Sequence, residues 1–238
     1  MATDERFDAA YYRRHYRSRD RVHTARELAR LASGVCGLAG WLGLDLASVL
    51  DVGAGTGGWG RWLRRHRPTV RYRSVDVSAH ACRTWGHERR DISRWRARGR
   101  FDLVICQGVL PYLDDRAAAR AVANLAAMTG GLLYLEAITR RDLATAVDRE
   151  RTDVAVRGRT GAWYRRLLAR HFVQVGAGLW ASRRAGLVLY ELEAAPLTRR
   201  ASAGRSPPRR SGAGRAPGRD RPRPGRRSRA GASPRARR

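Results

Sequence analysis

Apolar residues fall into short runs of strand length, each followed by small or turn-forming residues and then by a stretch with helical spacing. Residues 48–52 (SVLDV) form the first run. Gly53, Gly55, Gly57 and Gly58 follow it, and Trp59, Trp62 and Leu63 then share a helical face until Pro68. The alternating segment 70–76 predicts a second strand, Ser78 a cap for a helix over 79–85, and 87–92 a short third strand or turn. Continuous apolar runs at 101–107 (FDLVICQ) and 132–138 (LLYLEAI) predict parallel strands covered on both faces. Between them, Asp114 or Asp115 caps a helix over 116–128 that Gly130 and Gly131 end. Residues 162–171 read as a helix. Segments 172–180 and 186–193 read as two strands joined by ASRRA, too close for a crossover helix and therefore antiparallel.

Upstream, Leu28, Leu31, Val35 and Leu38 give 24–42 an amphipathic helical face. Tyr11, Tyr12, His15 and Tyr16 fall within about one and a half helical turns, which suits either a helical lid over a ligand or packing against the next helix. The apolar stretch 31–50 has about the ~20 residues of a membrane span, but it contains Asp45 and four glycines, so it reads as buried helix, loop and strand. The charged, irregular segment 140–159 leaves a strand end and is a candidate substrate lid. Strand and helix alternate throughout, which predicts an α/β domain.

The 238 residues allow one domain and an appendage, and the net charge of +28 changes this picture less than its size suggests. All 49 basic residues are arginine, the mark of a GC-rich coding sequence, so the charge is weak evidence for a nucleic-acid partner. Residues 196–238 hold 15 arginines and seven of the nine prolines, with no bulky apolar side chain after Leu197. They are expected to be disordered, either a nonspecific nucleic-acid tail or an out-of-frame extension. Cys36, Cys82 and Cys106 form no CxxC pair and fit neither a disulfide framework nor a zinc site, and residues 1–20 are polar. A cytoplasmic protein without metal or membrane partner is expected.

The chemistry concentrates in the glycine turn between strand and helix, where free N–H groups and the positive end of a helix dipole meet a ligand. Asp51, two places before Gly53, argues against a pyrophosphate there and for a cationic or polar ligand. Asp76, at the end of the second strand, stands where α/β nucleotide folds put the carboxylate that accepts both ribose hydroxyls.

The segment Asp51-Val52-Gly53-Ala54-Gly55-Thr56-Gly57 resembles motif I of the class I S-adenosylmethionine (SAM)-dependent methyltransferases, and Asp76, Asp91-Ile92 and FDLVICQGVL resemble the motifs that follow it. The resemblance covers 48–193. It implies a Rossmann-like, seven-stranded, mostly parallel sheet with an antiparallel last strand and helices on both faces, comprising a cap at 1–47, a SAM-binding domain at 48–195 and the tail at 196–238. It further implies SAM as cofactor, bound by Asp51, Gly53, Ala54, Gly55, Gly57, Asp76, Val77, Asp91, Ile92 and Gln107, with Tyr11 and Tyr16 from the cap. Asp91 would bond the adenine amino group, Ile92 cover the ring, and Asp102 with the exit QGVLPYL line the cofactor. The reaction implied is methyl transfer to a small-molecule acceptor, for which His15 and Glu136 are the candidate bases; the expected partner of Glu136 is an arginine. Two rival readings are a methyltransferase acting on RNA or another polyanion through the tail, and a nicotinamide-dependent oxidoreductase.

Overall fold

The computed structural model describes residues 6–17 and 23–195, all within the first of two units, which ends at Pro196. The expected tail at 196–238 lies outside the described residues. The chain enters through α1 (Ala9–Tyr12), which Asp8 caps and which continues as a π-helical turn over Arg13–Arg17. Helix α2 (Ala25–Trp41) opens on a capping box between Thr24 and Glu27. Then follow β1 (Ser48–Val52), α3 (Gly58–His66), β2 (Arg71–Asp76), α4 (Ala79–Trp85), the two-residue β3 (Glu88–Arg89) and β4 (Phe101–Gln107). A 3₁₀ turn at Leu110–Tyr112 leads to α5 (Asp115–Met128), β5 (Thr129–Glu136), α6 (Arg140–Thr145), α7 (Gly161–Leu168), β6 (Phe172–Gly176) and β7 (Leu179–Ser182).

The seven strands lie in the order β3-β2-β1-β4-β5-β7-β6, with β7 antiparallel to both of its neighbours and every other pair parallel. Period-two alternation sorts side chains between two apolar layers. Leu50, Val52, Val104 and Leu133 pack with α5 and α7, whereas Val49, Leu103, Ile105 and Leu132 pack with α2 and α3. Asp51 shares the parity of Val49 and so points, buried, toward the α2–α3 side.

Four expectations need correction. The hairpin turns at Ala177 and Gly178, not at ASRRA, because Gly176 (φ 118°), Ala177 (φ 47°) and Gly178 (φ 81°) supply three successive positive-φ residues; 186–193 forms no strand. Gly130 and Gly131 do not end α5 but lie inside β5, where a Cβ on Gly131 would come within 2.5 Å of the Asp102 carbonyl oxygen and of Leu44. Asp102 sits at the opposite edge of the sheet from the glycine turn after β1 and accepts bonds from the amides of Ala47 and Ser48 and from the Ser48 hydroxyl, tying the starts of β1 and β4 together. Segment 140–159 is not irregular throughout, since α6 occupies its first turns behind a Thr139–Asp142 capping box. Among the described residues no helix is long and apolar enough to cross a membrane.

Candidate active site

Where β1 ends, Gly53, Gly55 and Gly57 all take positive φ (72°, 55° and 72°), a run that side chains would strain. A Cβ on Gly53 would lie 2.3 Å from Val109, whereas one on Gly55 would meet no atom closer than 3.8 Å. The Gly55 backbone therefore borders open space. Two side chains fix it from opposite sides. Asp76 accepts the Gly55 amide at 2.9 Å on one oxygen and the Ser78 amide at 2.8 Å on the other. His87 Nε2 lies 3.0 Å from the Gly55 carbonyl, and its Nδ1 lies 2.9 Å from the Ser74 hydroxyl. Asp76 is 5% exposed, and burial raises its carboxyl above the ordinary range against the pull of the Ser78 and Gly55 amides.

Two adjoining cavities open along the carboxyl ends of β1, β2 and β4. The first is bordered by Gly53, Gly55, Asp76, Val77, Asp91 and Ile92. Asp91 accepts the Ser93 amide at 2.8 Å, and Ile92 is buried. Val109 and Leu113, within the expected exit QGVLPYL, complete this wall with Arg120, which the linear pattern gave no sign of because it comes from α5.

The second cavity holds Asp51, Ala54, Trp59, Gln107 and Glu136. Trp59 donates its indole N–H to Gln107 Oε1 at 3.0 Å, which turns the Gln107 amide nitrogen toward Glu136 Oε2 at 3.1 Å and His23 Nε2 at 3.3 Å. His23 Nε2 lies 3.8 Å from Glu136 Oε1, so the partner of Glu136 is this histidine and not an arginine. Burial acts to raise the Glu136 carboxyl, but His23, with Gln107 and Tyr134, outweighs it and holds the group below its usual range. His23 escaped the sequence reading because nothing local marks it.

Asp51, 2% exposed, receives the Tyr72 hydroxyl at 2.7 Å. Burial pushes its carboxyl from 3.8 to about 7, with Tyr72 opposing and Asp76 adding to the rise. A raised native value means the folded state binds the proton more tightly than the unfolded chain. This group's contribution to stability is therefore fully present below its unfolded value and lost as pH rises through about 7. Asp51→Asn is expected to flatten the loss of stability between pH of about 4 and about 7, read as unfolding temperature against pH; a slope equal to wild type would contradict this.

Tyr11 and Tyr16 border both cavities, and the Tyr11 hydroxyl meets that of Tyr112 at 3.0 Å. Arg6 pairs with Asp153 at 2.7 Å, joining the N-terminal segment to the 150s at the rim of the second cavity. His15 is buried with its ring 4.8 Å from that of Tyr11 and borders neither cavity. Gly57 likewise borders neither; it caps α3 and packs near His87.

The sheet order, the antiparallel β7 and the glycine turn after β1 are the arrangement of the class I SAM-dependent methyltransferases. A family model described as "Methyltransferase domain" matches residues 12–191, and the chain belongs to that family. Solved structures similar to it include the plantazolicin methyltransferase BamL in complex with a triazolic desmethylPZN analog and SAH (15% identity, TM-score 0.54, 71% of this chain and 70% of that one). An S-adenosylmethionine-dependent methyltransferase from Clostridium acetobutylicum ATCC 824 is 15% identical, with a TM-score of 0.51 over 70% and 86% of the two chains. The plantazolicin methyltransferase BpumL, 12% identical at a TM-score of 0.47, aligns over 62% of this chain, which spans only 59% of BpumL's length. None of the curated proteins matches the sequence.

Proposed function

We propose that this protein transfers a methyl group from SAM to a small-molecule acceptor, binding the cofactor across the first cavity and the acceptor in the second. The observation that carries the reading is the buried Asp76 carboxylate, fixed by the Gly55 and Ser78 amides yet facing the first cavity. Each of its oxygens keeps a lone pair, the requirement for taking a vicinal diol. The bare Gly55 backbone beside it leaves the room a side chain would fill. Asp91 and Ile92 suit an adenine edge and face, and BamL, which shares the fold, was solved with SAH. Bound SAM supplies an already activated methyl group on a sulfonium centre. The chain's own task is then alignment and exclusion of water, which Tyr11, Tyr16 and Tyr112 perform above the cavities. Residues 1–47 are proposed as the cap and 48–195 as the SAM-binding domain.

SAM and SAH are expected to raise the unfolding temperature, while NAD(H) leaves it unchanged. Equal stabilisation by NAD(H) would turn the assignment toward an oxidoreductase. Labelled SAM incubated with a metabolite extract then identifies the acceptor.

A further inference from the structure

We propose that His23, held between Gln107 and Glu136, takes the proton from a small amine acceptor in the second cavity. This rests on the methyltransferase reading above and names its acceptor class.

The contacts of Nε2 serve the ring in both of its protonation states. The Trp59 indole donates to Gln107 Oε1, so both protons of the Gln107 amide face outward, one to Glu136 Oε2 and one to His23 Nε2. In the neutral ring with its proton on Nδ1, Nε2 carries the lone pair that accepts this bond, while Glu136 beside it raises the ring's affinity for a proton. Glu136 Oε1, 3.8 Å from the same Nε2, is in place to pair with the proton once the ring gains one. The ring thus has a partner before and after proton uptake, as a general base requires.

Charge around the cavity points to the acceptor. In a chain with 49 arginines, this cavity is bordered by Asp51, Glu136 and Asp153 and by no arginine among the described residues. Asp153 is paired with Arg6, leaving Glu136 and the partly titrating Asp51 toward a ligand. Such walls favour a cation, and an ammonium has no lone pair for attack until it loses a proton. In the step proposed, the ammonium gives that proton to His23 Nε2. The freed nitrogen pair then forms the N–C bond to the sulfonium methyl of bound SAM, and the S–C bonding pair stays on sulfur as a neutral thioether. The imidazolium pairs with Glu136. Other charges facing His23 are Glu27 at the start of α2, which favours its protonation, and Arg151, which opposes it.

The full chain with ¹³C-labelled histidine tests this, with His23→Gln assigning the His23 signal. In the free protein the His23 titration midpoint is expected higher in wild type than in Glu136→Gln; identical midpoints overturn the pairing. In the SAH-loaded protein, phenethylamine is expected to move the His23 signal at a concentration about ten-fold lower than phenethyl alcohol does, and Glu136→Gln to erase that difference. Equal response to the two probes, or response to neither, overturns the amine assignment. Calorimetry of SAH binding runs alongside. A failure there sinks the cofactor reading, whereas the free-protein titration still decides the fate of the His23–Glu136 pair.

Discussion

Asp76→Asn is expected to weaken SAM and SAH binding by about 10- to 100-fold, because on the proposed reading the carboxylate serves the ligand as well as the loop. Its two oxygens already accept the amides of Gly55 and Ser78. Asparagine has one oxygen, so its NH₂ must face one of those two donors, and one backbone N–H is left without a partner in a buried setting. A buried unpaired donor costs about 1–3 kcal/mol, so stability falls with affinity. The charge-assisted acceptor for a ribose diol is lost on top of this. Calorimetry with SAH and denaturant unfolding measure the two effects separately. Unchanged SAH affinity in a folded Asp76→Asn protein would remove Asp76 from the cofactor site.

The parts of this protein written in local pattern were legible before any coordinates. β1, α4 and β4 lie where the apolar runs and the Ser78 cap place them, since burial on both sheet faces demands unbroken apolar residues and a cap needs only a neighbouring hydroxyl. The glycine turn was legible for the same reason, as three positive-φ positions leave few alternatives to glycine. What stayed hidden depends on partners distant in sequence. His23 gains meaning only from Glu136 and Gln107, on neighbouring strands of the sheet. His87 reads as one more histidine until its two nitrogens are seen bracing Gly55 and Ser74. The mislocated hairpin has a different origin: Val175 and Leu179 flank the turn with apolar residues, so hydrophobicity runs on through the point where backbone torsion reverses the chain.

Arg159 is the clearest case of a residue whose weight lies in such distant partners, and Arg159→Met is expected to lower stability by about 2–5 kcal/mol. Only 7% exposed, its guanidinium donates to the carbonyls of Leu110 and Leu113, to the Tyr164 hydroxyl and to Asp115, and it lies 4.6 Å from the centre of the Trp163 ring. These contacts fasten the loop after β4 to α5 and α7. The Asp115 pair contributes little, because that carboxylate is 73% exposed and screened. The carbonyls decide the magnitude: methionine fills the space but donates nothing, so the Leu113 carbonyl is left unpaired and the Leu110 carbonyl keeps only the Leu113 amide at 3.2 Å. Lysine offers a point charge that cannot span the same fork, so Arg159→Lys should recover only part of the loss. Glu88→Gln, which breaks the half-exposed Arg73–Glu88 pair, provides the contrast and should cost less than about 1 kcal/mol. Leu113 borders the first cavity, so SAH affinity should fall with stability in Arg159→Met but not in Glu88→Gln. Denaturant midpoints for the three variants measure the ordering; a methionine variant as stable as Glu88→Gln would show that the loop after β4 is held by packing alone.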